Sequence, residues 1–191
     1  MTHLSGPTAT PTSIPDVLVL EPRVFRDERG HFLESFNQRD FERATGLNRQ
    51  FVQDNESRSL RNVVRGLHFQ TRRPQGKLVR VTAGEIFDVA VDLRGGSPTF
   101  GKWVGLTLSS QNFRQLWVPE GFAHGFMVMS EYADVHYKMT EYYDPQHESA
   151  IAWNDSEIGI DWPKMEGVIL HQRDATAPAL RDVDIPFQVA P

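Results

Sequence analysis

The feature that most constrains this chain is a succession of short β-type runs, each closed by a turn. VLVL (17–20), HFLESF (31–36), NVVRGLHF (62–69), KLVRVT (77–82) and EIFDVAVDL (85–93) are followed by KWVGLTL (102–108), RQLWVP (114–119), HGFMVM (124–129) and DVHYKM (134–139). Turn formers such as Ala83-Gly84, Gly95-Gly96-Ser97-Pro98 and Pro119-Glu120-Gly121 separate them. Short runs at this spacing argue for an all-β antiparallel sandwich or barrel. QRDFERAT (38–45) alone predicts a helix, with Asn37 as its N-cap. Residues 1–15 are rich in Thr, Ser and Pro and too poor in apolar groups to fold by themselves, so they predict a flexible leader before a single domain over 16–191.

Composition removes several functional classes. No apolar run approaches the ~20 residues that cross a membrane, so no membrane partner is expected. The formal net charge of −5 gives no general attraction to nucleic acid or anionic lipid, and a phosphorylated ligand would have to be held by local arginines. Cysteine is absent, which excludes disulfides, thiolate metal sites and thiol nucleophiles. The opening segment has neither the basic start nor the apolar stretch of a secretory signal, so a cytoplasmic location is expected.

Strand alternation tells which side chains share a face. In EIFDVAVDL, Phe87, Val89, Val91 and Leu93 form one apolar set, which leaves Asp88 with Ile86, Ala90 and Asp92, either in solvent or in a polar cavity. Tyr137 alternates with Ala133, Val135 and Met139, which predicts that it is buried. A barrel interior that carries isolated polar groups among apolar walls is a natural small-ligand site.

Chemistry-capable residues concentrate in QDNESRSLRNVVRGLHFQ (53–70), PQGKLVR (74–80) and VPEGFAHGF…YKMTEYYDP (118–145). Together with IPDVLVLEP (14–22), FRDERGHFLESFN, FVQDN and GIDWP (159–163), in that order, they resemble the dTDP-4-dehydrorhamnose 3,5-epimerase family over nearly the whole chain after the leader. The resemblance implies a cupin-like jelly-roll barrel with short peripheral helices, a homodimer, no metal or other cofactor, and a keto-sugar on thymidine diphosphate as substrate. A ketone at carbon 4 acidifies the protons on carbons 3 and 5. Epimerisation then needs a base on one ring face, an acid on the other, and a positive donor at the oxygen where enolate charge develops.

His68 is the candidate base, since its ordinary pKa of about 6.5 suits proton transfer near neutrality. Taken alone it reads more readily as a satisfied barrel histidine than as a base. By resemblance, Asp174 pairs with His68, Tyr137 is the acid on the far face, and Lys77 meets the keto oxygen. Arg29, Arg65 and Arg173 match diphosphate and nucleotide contacts, with Glu34, Gln53, Asp54, Asn55 and Glu148 as polar partners and Tyr142 or Tyr143 as a stacking surface. His124 matches a ligand-site histidine, with Asp88 behind the site. A metal reading of His124 has little support, because RGLHFQ supplies one histidine rather than a paired H-x-H. A single-carbon epimerase and a non-catalytic binding cupin are the alternatives.

Two details are discordant. Arg65 and His68 have opposite parity on a regular strand, so both reach one pocket only if the strand bulges, which Gly66 would permit. Arg173 stands where the family usually has lysine.

Overall fold

The turn-punctuated runs pair into two facing sheets in the computed structural model, which describes residues 6–189. The strands are β1 (Thr8–Pro11), β2 (Leu18–Glu21), β3 (Val24–Asp27), β4 (Gly30–Leu33), β5 (Gln53–Leu60), β6 (Val63–Gln70) and β7 (Lys77–Ala83). They continue with β8 (Glu85–Asp92), β9 (Trp103–Ser109), β10 (Gln115–Val118), β11 (Phe122–Val128), β12 (Tyr132–Met139), β13 (Glu148–Ala150) and β14 (Ile169–Leu170). One sheet runs β1-β2-β10-β7-β12-β5, and the other β13-β6-β11-β8-β9 with β14 alongside β6. β3 and β4 form a separate hairpin. The architecture is the cupin-like jelly roll, with only the short helices α1 (Gln38–Thr45) and α2 (Gln172–Ala175) and one 3-10 turn at its periphery.

Alternation fills the space between the sheets. Val79, Val81, Leu116, Ala133 and Val135 from the first sheet meet Ile86, Ala90, Leu108, Phe126 and Val128 from the second. The opposite set on β8, Val89 and Val91, packs outward with Leu93 against Ile151, Ile158, Leu180 and Phe187 of the C-terminal segment. Asp88 therefore points inward with Ile86 and Ala90, and it is fully buried.

Helix α1 covers the outer face of the first sheet. Asn37 Oδ1 accepts from the backbone N–H groups of Arg39 (3.1 Å) and Asp40 (3.3 Å), the cap its sequence predicts. One fully buried side chain, Phe41, anchors the helix among Phe36, Phe51 and Trp117, with ring centroids 5.2–6.3 Å from that of Phe41.

Two local expectations change. Structure begins earlier than Asp16: β1 pairs with β2 from Thr8↔Glu21 to Pro11↔Leu18, and Ile14 is buried. An edge strand gains its order from backbone hydrogen bonds to its neighbour, so a shortage of apolar side chains does not prevent it, and proline is tolerated there. Residues 1–5 of the expected leader lie outside the described residues. The second change is β5, whose sequence QDNESRSL has almost no apolar residues and was not expected as a strand. It alternates half-buried Gln53, Asn55, Ser57 and buried Ser59 with exposed Asp54, Glu56, Arg58 and Leu60. The inward face is polar because Asn55 lines the site, Gln53 bonds Asn55 and Ser59 accepts from Arg65 Nε.

The bulge expected at Gly66 is present. His68 pairs with His124 and Arg65 with Phe126, so Gly66 and Leu67 on β6 oppose the single Gly125 on β11. Gly66 has φ +127°, and a Cβ there would lie 2.5 Å from Gly125 Cα and 2.9 Å from the His124 carbonyl oxygen. Neither the conformation nor the space admits another residue. Gly66→Ala is expected to destabilise the fold by roughly 3 kcal/mol or more, since strain and a backbone clash add. A urea midpoint unchanged from the wild type would contradict this origin for the bulge.

Candidate active site

Toward one end of the barrel the inward side chains become polar and enclose a cavity of about 270 Å³. Its walls include Asn55 from β5, Arg65, His68 and Gln70 from β6, Lys77 from β7, His124 from β11 and Tyr137 from β12, with Tyr143 and Glu148 at the rim. His68 and Tyr137 belong to different sheets and face the cavity from opposite walls.

His68 Nε2 lies 2.6 Å from Asp174 Oδ1, and the Gly66 N–H points at Asp174 Oδ2 at 3.4 Å. Asp174 comes from α2, where it is buried, while His68 is part-exposed to the cavity. Burial by itself would raise the Asp174 pKa, but the bond and charge of His68 and the Gly66 N–H outweigh it and hold the carboxylate below its ordinary range. The pair is thus an anionic carboxylate holding one ring nitrogen of an imidazole, which leaves Nδ1 free to take a proton.

Lys77 is buried and donates from Nζ to the His68 carbonyl oxygen at 3.2 Å. Burial pushes its ammonium down to about 8, against the pull of Asp88 and Glu148. Tyr137 pairs in register with Asn55 on one side and Val79 on the other. Burial raises its phenol pKa, and the Arg65 charge pulls the opposite way. A phenol kept protonated in this way is an acid able to return a proton. Behind the cavity, His124 Nε2 is 2.8 Å from Asp88 Oδ1, a diagonal contact between β11 and β8 that fixes the ring's orientation. Among the described residues, no three His, Asp or Glu side chains gather closely enough to share a metal ion.

The expected binding residues divide into two groups. Gln53 Nε2 donates to Asn55 Oδ1 (2.9 Å) and Gln53 Oε1 accepts from the Tyr143 backbone N–H (2.9 Å), so Gln53 ties the rim loop to β5. Glu148 accepts from the Tyr143 hydroxyl and from Arg173, and Arg173 with Arg65 lines a second, adjoining cavity behind the dyad. Six of the expected binding residues do not line the main cavity: Gln53 and Arg173 act at its edge as described, and the other four stand apart from it. Asp54 has the wrong parity on β5 and pairs outside with Lys138 at 2.8 Å. Arg29 is exposed at the β3–β4 turn and pairs with Asp27, and Glu34 is exposed just beyond β4. Tyr142 is exposed, and its carbonyl rather than its ring is engaged, by Gln70 at 3.3 Å.

Gln70 and Gln75 line the cavity without having been singled out. Gln70 bonds the Arg73 and Tyr142 carbonyls and the Asp144 N–H, and Gln75 bonds the Glu141 carbonyl, so the two hold the loop that carries Tyr143. The position of Gln70 two residues after His68, on the same strand face, was the available signal.

A family model described as dTDP-4-dehydrorhamnose 3,5-epimerase matches residues 11–182. The chain belongs to the dTDP-4-dehydrorhamnose 3,5-epimerase family. It is 59% identical over 176 residues to the dTDP-4-dehydrorhamnose 3,5-epimerase of Pseudomonas aeruginosa, covering 92% of this chain and 97% of that one. It is 60% identical over 170 residues to the Salmonella typhimurium protein of the same name, covering 88% and 93%. The crystal structure of the dTDP-6-deoxy-D-glucose-3,5-epimerase from Legionella pneumophila, in complex with dTDP-4-keto-L-rhamnose, superposes with a TM-score of 0.94 at 50% identity, over 96% of this chain and 100% of that chain. Members of the family are isomerases, and the residues matched include every group lining the main cavity.

The buried lysine has a measurable signature. Between pH about 8 and about 10.5 the folded protein releases the Lys77 proton while the unfolded chain keeps it, so the unfolded state binds more protons and stability rises with pH. The rise attributable to Lys77 is on the order of 3 kcal/mol across that window. Denaturant titrations of the wild type and Lys77→Met at several pH values should show the difference in slope; parallel curves would mean that Lys77 titrates normally.

Proposed function

We propose that this protein is a dTDP-4-dehydrorhamnose 3,5-epimerase, which inverts carbons 3 and 5 of dTDP-4-dehydro-6-deoxy-glucose on the way to dTDP-L-rhamnose. The observation that carries this reading is a histidine–aspartate pair facing a buried tyrosine across one cavity, with a buried lysine in its wall. His68 removes the proton from the carbon beside the ketone. The electron pair delocalises onto the carbonyl oxygen, where the Lys77 ammonium donates to the developing enolate. Asp174 stabilises the imidazolium. Tyr137 then returns a proton to the opposite ring face, and the enolate collapses to the ketone with the carbon inverted. No net oxidation occurs, so the cycle needs no redox cofactor.

Arg65 and Arg173 are placed to take the diphosphate, and Tyr143 offers a flat surface at the rim. Arg29 and Glu34, assigned to the nucleotide by resemblance, stand away from the cavity of their own chain. The exposed Phe32 lies on the same hairpin. A homodimer in which hairpins meet the neighbouring subunit's site accounts for all three, and light scattering would test it, a monomer at micromolar concentration counting against it. No helix among the described residues is long and apolar enough to cross a membrane. A cytoplasmic location is part of the proposal.

Incubation with the keto-sugar nucleotide in heavy water is expected to place deuterium at both carbons. Label at one carbon would indicate a single-carbon epimerase, and no label a binding protein. His68→Ala is expected to reduce exchange at both carbons by roughly 10²- to 10⁴-fold, the usual worth of a general base. Tyr137→Phe is expected to retain exchange while losing inverted product; undiminished product would remove Tyr137 from the acid role.

A further inference from the structure

Among the described residues lining the main cavity, Glu148 is the one carboxylate. A fixed anion is out of place beside groups that receive a diphosphate and stabilise an enolate, because like charges at this range oppose both. The way it is held suggests a use. A single oxygen, Oε2, accepts from the Tyr143 hydroxyl at 2.5 Å and from Arg173 Nη1 at 2.6 Å. Burial would raise the Glu148 pKa, but these two donors and the charges of Arg173 and His68 hold it below its ordinary value, so it is an anion.

The bond has a particular location. Glu148 lines the main cavity, whereas Arg173 lines the second cavity behind the dyad, and Arg65 and His68 line both. The Glu148–Arg173 bridge therefore crosses the junction between the two spaces. Arg173 meets Glu148 through Nη1 and is nearly half exposed, so its fork can turn. A diphosphate offers that fork two oxygens and a larger charge than a carboxylate does.

We propose that Glu148 is a competitor built into the diphosphate seat: its carboxylate stands in for a phosphate oxygen on Arg173 and Tyr143 in the free enzyme and is displaced when the diphosphate binds. A ligand that takes Nη1 of Arg173 must break this bridge, and a diphosphate carries the anionic charge that replaces what is lost. The bridge thus lowers affinity for the diphosphate and leaves ligands that do not compete for Arg173 unaffected. This inference rests on the diphosphate-bearing substrate of the preceding reading.

Calorimetric titration of the whole protein with dTDP and with thymidine tests it. Glu148→Gln and Tyr143→Phe each weaken the bridge while keeping shape and the aromatic ring. Both are expected to tighten dTDP roughly five- to tenfold, equivalent to about one charge-assisted contact relieved, and to leave thymidine unchanged. The opposite sign, weaker dTDP binding in both variants, would make Glu148 a clamp that holds Arg173 for the phosphate and would overturn the proposal, as would unchanged affinity. Equal tightening of thymidine would also overturn it, since the effect would then not concern the diphosphate. Wild-type protein that binds neither ligand would instead remove the functional reading beneath it.

Discussion

Where β6 crosses β11, two glycines meet so closely that neither position has room for a side chain: a Cβ on Gly66 would strike Gly125 Cα at 2.5 Å, and one on Gly125 would strike the Arg65 carbonyl at 2.7 Å. The register shift at this crossing turns Arg65 and His68, which ordinary alternation would send to opposite faces, toward the same cavity. It also aims the Gly66 N–H at Asp174, whose other oxygen holds His68. Backbone geometry at one bulge thereby sets His68, its carboxylate partner Asp174 and the Arg65 cation beside one cavity.

Around that bulge the charges are arranged by burial. Lys77 gives up part of its affinity for a proton to lie inside the barrel, and Asp88, fully buried with one oxygen on His124 and the other without a hydrogen-bond partner among the described residues, supplies the field that partly restores it. A cation held this way is already desolvated, so in the proposed role its interaction with a developing enolate would not be weakened by water. The apolar half of the barrel, from Val79 to Val128, provides the rigid walls against which such placement is possible.

Much of this was legible in one dimension. The β-runs, the Asn37-capped helix, the inward turn of Tyr137 and the need for a bend at Gly66 follow from periodicity, capping chemistry and parity, which are local rules. β5 was not legible as a strand, because QDNESRSL carries none of the apolar alternation that signals one; its buried face is polar for reasons that lie on β12 and in the cavity. Asp54 was assigned to the site by resemblance, and pairing to β12 turned it outward to Lys138. The order of β1 likewise depends on a partner strand rather than on its own composition.

The amino-acid order by itself determined the all-β architecture through periodicity and turn chemistry, and through its resemblance to the family it named the residues assigned to proton chemistry and the bulge or kink they demand at Gly66. Only the tertiary structure decided that Asp174, more than a hundred positions from His68, meets it at 2.6 Å, that Asp88 faces inward to His124, and that Glu148 bridges two cavities through Arg173. Those contacts join strands and loops whose separation along the chain carries no information about distance. Hydrogen bonds need placement to a few tenths of an ångström, which packing between the two sheets supplies and sequence spacing does not.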